Sequence, residues 1–156
     1  MNEPIEILLI EDNPYDVELT LHALHLNNLT NSVHVARDGV EALEFLLGPD
    51  GAGPAMAPDA APRVILLDLK LPRIDGLEVL RKIRDDPRTR LLPVVVLTSS
   101  RQEQDIIESY NLGINSYILK PVDFQQFIEA IRTLGMYWLI YNQPPLVPRI
   151  PEQQPE

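Results

Sequence analysis

Four consecutive apolar residues, Val64 to Leu67, run directly into Asp68, and Pro72 and Asp75-Gly76-Leu77-Glu78 follow. A short apolar run bounded in this way predicts a buried strand, then a turn, then the start of a helix. A strand with no polar alternation needs cover on both faces, the condition met by parallel sheets in α/β proteins. Such sheets bind ligands at the carboxyl ends of their strands, so Asp68 stands where chemistry is done. Taken alone, Asp68 reads more readily as a loop-capping aspartate. The other strand ends decide between the two.

Strand and helix signals alternate along the chain. Ile5 to Ile10 predicts a first strand, and Asn13-Pro14 opens a helix with a cap residue followed by proline, with Val17, Leu21 and Leu24 at helical spacing. Val33 to Ala36 is a poorer strand. Asp38 to Glu41 forms an acidic analogue of the capping box, and its helix ends at Gly48. Gly48 to Pro62, rich in Gly, Pro and Ala, reads as a mobile surface insertion with little to bury. Pro93 to Leu97 is the most β-branched strand. Ser100 to Glu103 reads as a capping box for a helix through Ile106, Ile107 and Tyr110 to Gly113. Ser116 to Leu119 is the last strand, and Asp123 to Gln126 caps a final helix carrying Phe124, Phe127, Ile128, Ile131 and Leu134.

Five strands alternating with five helices predict an α/β fold: a doubly wound, five-stranded parallel sheet of flavodoxin-like order 2-1-3-4-5. Residues 1–141 are assigned to this domain. The remainder, 142–156, holds five prolines and reads as an extended tail.

Composition removes several function classes. A net charge of −10 opposes direct nucleic-acid binding, which needs a basic footprint. No apolar stretch reaches membrane-spanning length. The start, MNEPIEILLIED, lacks the basic region of a signal peptide, and the chain has no cysteine, which together fit a cytoplasmic protein.

The polar residues at the strand ends define the chemistry. The first strand ends in Glu11-Asp12, the third in Asp68, the fourth in Thr98 and the fifth in Lys120-Pro121. With the first and third strands adjacent, Glu11, Asp12 and Asp68 converge on one acidic pocket. Three carboxylates share a pocket only if something cationic compensates them. A hard divalent ion such as Mg²⁺ suits such oxygen ligands. Lys120 and Thr98 can hold phosphoryl oxygens. Carboxylate nucleophile, metal, lysine and hydroxyl together describe phosphoryl transfer onto aspartate, with Asp68 as the acceptor.

On Glu11-Asp12, the segment Asp68 to Gly76, Thr98-Ser99 and Lys120-Pro121, the chain resembles the receiver domains of two-component response regulators, and is similar to the single-domain chemotaxis type. The resemblance covers about Ile5 to Tyr137. It implies a phosphoryl group taken from a sensor histidine kinase onto Asp68, and signalling by protein–protein contact rather than enzymatic output. It further implies Mg²⁺ held by Glu11, Asp12, Asp68 and the backbone carbonyl of Lys70. Thr98 and Lys120 would contact the phosphoryl oxygens, Tyr117 would act with Thr98 as an aromatic switch, and the Lys120–Pro121 bond would be cis. Lys70 and Ser100 occupy the two positions that influence phosphoryl lifetime in the family.

Past Leu134 the last helix continues through Met136-Tyr137-Trp138-Leu139-Ile140-Tyr141, apolar on every side. A helix packed on a sheet buries one stripe, here ending in Leu134 and Trp138, so Met136, Tyr137 and Ile140 form an apolar surplus that suggests a protein interface. The YWLIYNQPP end resembles receivers paired with phytochrome-type photoreceptor kinases, including bacteriophytochromes. That implies a homodimer through the fourth strand, fifth strand and last helix. Three alternatives compete. A scaffold receiver is opposed by the intact acidic set. An aspartyl phosphatase lacks its second acid, since Lys70 stands there, and a flavin carrier lacks a phosphate loop.

Overall fold

The computed structural model describes residues 6–29, 32–51, 53, 61–121, 123–143 and 145. The expected strand start at Ile5, most of the Gly/Pro/Ala insertion and all but three residues of the tail lie outside them. Five strands, β1 (Ile7–Ile10), β2 (Val33–Ala36), β3 (Val64–Leu67), β4 (Val94–Thr98) and β5 (Ser116–Leu119), alternate with five helices. These are α1 (Pro14–Leu26), α2 (Gly39–Leu47), α3 (Gly76–Asp85), α4 (Glu103–Asn111) and α5 (Phe124–Gly135). The strands form one parallel sheet of order β2-β1-β3-β4-β5, as the alternation predicts.

Alternation explains the unbroken apolar runs. Leu8, Ile10, Ile65, Leu67, Val94 and Val96 face one core, closed by α2 and α3 through Leu46, Val79, Leu80 and Ile83. Ile7, Leu9, Val64, Leu66, Val95 and Leu97 face the other, closed by α1 and α5 through Val17, Leu24, Phe127, Ile131 and Leu134. All four side chains of β3 are fully buried. Each contributes roughly 1.5–3 kcal/mol of transfer free energy, so a polar residue anywhere in this strand would be costly.

Register then aligns the strand ends. Ile10 pairs with Leu67, and Leu67 with Val96, so β1 and β3 end side by side and β4 ends close beyond them. The Asp68 N–H still bonds the Ile10 carbonyl at 3.0 Å, and the Lys120 N–H bonds the Thr98 carbonyl at 2.8 Å. The ladders therefore extend to the residues that carry the polar groups.

Two local expectations need correction. Ser100 does not cap α4: the helix begins later, after Gln102, whose side chain makes no cap hydrogen bond. Ser100 is instead buried, and its hydroxyl donates to Asp105 Oδ2 at 2.6 Å. The second concerns the end of the chain. Met136–Tyr141 forms a π-helical turn, and the Asn142 N–H bonds the Tyr137 carbonyl five residues back. The extra residue adds Leu139, which is buried, to the apolar stripe, while half-buried Trp138 packs against the same core. Arg63, just before β3, donates from Nη1 to the Leu139 carbonyl at 2.7 Å and fixes this turn against the sheet.

Candidate functional site

The loop after β1 is built around Asn13. Its side chain accepts from the N–H groups of Tyr15 and Asp16 and starts α1, while its own N–H donates to Glu11 Oε1 at 3.1 Å. Glu11 is thereby held buried at the carboxyl end of β1 while Asp12 faces outward. After β3 the chain must turn sharply past Asp68. A Cβ on Gly76 would lie 2.5 Å from both the Asp68 carbonyl oxygen and Leu69 Cα, so only glycine lets α3 start against this segment.

The predicted residues meet around the Asp68 carboxylate. Oδ1 accepts from Thr98 Oγ1 at 2.8 Å and from the Lys70 N–H at 3.1 Å. Oδ2 accepts from Lys120 Nζ at 2.9 Å. Glu11, Asp12 and Asp68 each place a carboxylate oxygen within 4.8 Å of the others. Lys120 also reaches Glu11 Oε2 at 2.6 Å and Asp16 Oδ2 at 2.8 Å. Asp16 has no counterpart among the sequence expectations. It belongs to α1 rather than to a strand end, and only the folded chain brings α1 to β5.

Among the described residues no peptide bond is cis, which corrects the expectation for Lys120–Pro121. Lys120 enters the pocket regardless, because its long flexible side chain is drawn by three carboxylates. Tyr117 lies one strand from the pocket, and its hydroxyl donates to the Ser100 carbonyl at 2.9 Å. Burial raises its phenol above the ordinary value.

Electrostatics follow from burial set against these partners. Burial pushes the Glu11 carboxyl up to about 7; the Asp68 charge adds to the rise, and Lys120 and the Asn13 N–H oppose it. For Asp68 burial is again the largest single influence, yet Lys120, Thr98 and the Lys70 N–H together outweigh it. They hold the carboxyl below its usual value. Burial would lower Lys120, but the three carboxylates carry it well above the ordinary lysine value. The pocket thus holds one firmly ionised carboxylate and a permanent cation.

The donor set fits a small hard cation. Crowded carboxylate oxygens, one of them on the exposed Asp12, offer oxygen ligands and leave a side open to water. Such an ion, when bound, neutralises carboxylate charge and polarises phosphoryl oxygens.

Comparison with known proteins agrees with this geometry. The family model "Response regulator receiver domain" matches residues 7–132. Rcp1 of Synechocystis sp. is 36% identical over 140 residues, covering 88% of this chain and 91% of Rcp1. Its Mn²⁺-bound crystal structure superposes with a TM-score of 0.78 at 34% identity, over 91% of this chain and 99% of that one. The phosphorylated cyanobacterial phytochrome response regulator RcpA aligns with a TM-score of 0.80 at 37% identity, over 91% and 99% of the two chains. The bacteriophytochrome response regulator AtBRR is 50% identical over 91% of this chain and all of its own, with a TM-score of 0.66.

The chain belongs to the response regulator receiver domain family, the signalling modules of two-component phosphorelays. Its acidic pocket is the site at which receivers bind Mg²⁺ or Mn²⁺. No helix among the described residues is long and apolar enough to cross a membrane.

Proposed function

We propose that Asp68 accepts a phosphoryl group from the phosphohistidine of a sensor histidine kinase. A carboxylate oxygen of Asp68 bonds to phosphorus, the P–N bond breaks, and its electron pair leaves with the imidazole. The observation that carries this reading is the pairing of an ionised, buried Asp68 carboxylate with Thr98 on one oxygen and Lys120 on the other. Glu11, Asp12, Asp68 and the Lys70 carbonyl would hold Mg²⁺, which when bound would screen phosphoryl charge. Thr98 and Lys120 then take the phosphoryl oxygens, and Tyr117 follows the movement of Thr98.

The kinase is of the phytochrome type. This is supported by RcpA and AtBRR, both phytochrome response regulators by name, and by the YWLIYNQPP end. Output is a protein–protein contact made in the cytoplasm, with neither nucleic acid nor membrane as the direct partner. Two copies pair through β4, β5 and the last helix. Tyr137 and Ile140, 51% and 60% exposed, support this, with half-buried Met136 beside them.

Acetyl phosphate with and without Mg²⁺, read by intact mass in the cold, tests the acceptor. A Mg²⁺-dependent adduct on wild type that is missing from Asp68→Asn is the expected result. An adduct that persists in Asp68→Asn would refute it. A phytochrome-type histidine kinase should phosphorylate the chain faster than an unrelated kinase does.

A further inference from the structure

An ammonium group has three N–H donors. On Lys120 all three are engaged: Glu11 at 2.6 Å, Asp16 at 2.8 Å and Asp68 at 2.9 Å. Two of these partners, Glu11 and Asp68, also belong to the carboxylate cluster that fits a cation; Asp16 does not. Asp16 is therefore the partner whose hold on Lys120 is independent of what the cluster binds.

Its own position is fixed separately. Its N–H is bonded to the Asn13 side chain at 3.2 Å, its carbonyl accepts from Thr20 Oγ1 at 2.8 Å, and it lies in the first turn of α1. A carboxylate there is favoured by the helix dipole. Asp16 thus presents a fixed anion to a flexible side chain.

We infer that Asp16 is a positioning residue for phosphoryl transfer. It tethers Lys120 so that one N–H can pass from Asp68 Oδ2 to a phosphoryl oxygen while the ammonium stays in place. This rests on Asp68 being the acceptor. Loss of the tether leaves the lysine to be ordered during the reaction, and the rate at saturating donor falls. A role limited to repelling the anionic donor predicts the opposite, a faster reaction once the charge is gone.

The test compares wild type, Asp16→Asn, Asp16→Glu and Asp68→Asn. Phosphorylation rate is measured against acetyl phosphate concentration with Mg²⁺, and the ¹H–¹⁵N signal of Lys120 Nζ is recorded with neither Mg²⁺ nor donor present. Asp16→Asn is expected to lower the saturating rate about 3- to 10-fold, as for loss of one charge-assisted hydrogen bond. The half-saturating concentration should not rise, and the Lys120 signal should broaden through faster exchange. Asp16→Glu, which returns the charge, should recover both in part. Saturating rates equal to or above wild type in Asp16→Asn, or an unchanged Lys120 signal, would overturn the role of Asp16. If wild type itself takes no phosphoryl group, the acceptor reading fails and this inference with it. That outcome is distinguished by the wild-type arm alone.

Discussion

The Tyr117 hydroxyl donates a 2.9 Å hydrogen bond to the carbonyl of Ser100, which joins β5 to the loop that follows Thr98. The Ser100 N–H returns toward Thr98 Oγ1 at 3.3 Å, so tyrosine, loop and pocket hydroxyl form one chain of contacts. Tyr117→Phe removes the link without touching Asp68. It should cost roughly 0.5–1.5 kcal/mol in urea unfolding, the worth of one neutral hydrogen bond. The phosphorylation rate should stay close to wild type while amide exchange in residues 99–102 rises. Unchanged exchange there would separate Tyr117 from the loop.

Gly76→Ala should be far more damaging than its size suggests. The added Cβ would meet the backbone of Asp68 and Leu69 at 2.5 Å, and backbone cannot rotate away as a side chain can. A loss of roughly 1–3 kcal/mol, typical of forced overpacking, should show in thermal unfolding. Phosphorylation should slow as well, because the shifted segment carries the acceptor.

A third expectation concerns acid. Arg88 pairs with Asp86 at 2.8 Å and also donates to the carbonyls of Gly51 and Gly53. The hydrogen bonds from Arg88 hold the Asp86 carboxyl below its ordinary value of 3.8. The folded state therefore binds this proton less tightly than the unfolded state does. Its stabilisation is fully present above that value and is lost as pH falls through the lower folded one. In Asp86→Asn, unfolding free energy should depend less steeply on pH below about 4. Identical slopes in both proteins would show that the pair does not couple to folding.

Ile140→Glu places a charge on the exposed face of the π-helical turn, away from Leu139 and the core. Sedimentation should show the proposed dimer weakened, with phosphorylation intact. An unchanged dimer would remove this turn from the interface.

Much of the site was legible because it lies at strand ends. Asp68, Thr98 and Lys120 each follow an apolar run whose carboxyl end can be read from the sequence, and parallel topology then brings those ends together. Asp16 was not legible, because its contact with Lys120 depends on how α1 lies across the sheet rather than on any local pattern. Arg84 was missed for the same reason. Its guanidinium bonds the carbonyls of Arg90, Leu92, Leu112 and Gly113 and ties two loops to α3, yet in sequence it is one more charge on a helix. At Ser100 the capping pattern lost to a different local bond, with Asp105, and to a tertiary contact from Tyr117. The burial of Leu139 beside Trp138 follows a change of helical period, which apolar residues on every side cannot report.

The most direct measurement locates the phosphoryl group. Borohydride reduces an aspartyl phosphate to homoserine, and trypsin releases Val64 to Lys70, a peptide whose only side-chain carboxylate is Asp68. After acetyl phosphate and Mg²⁺, homoserine should appear at position 68 and be absent when Mg²⁺ is withheld. Homoserine at Asp12 or another aspartate, or hydroxynorvaline at Glu11 or another glutamate, with position 68 unmodified, would contradict the assignment of Asp68 as the acceptor.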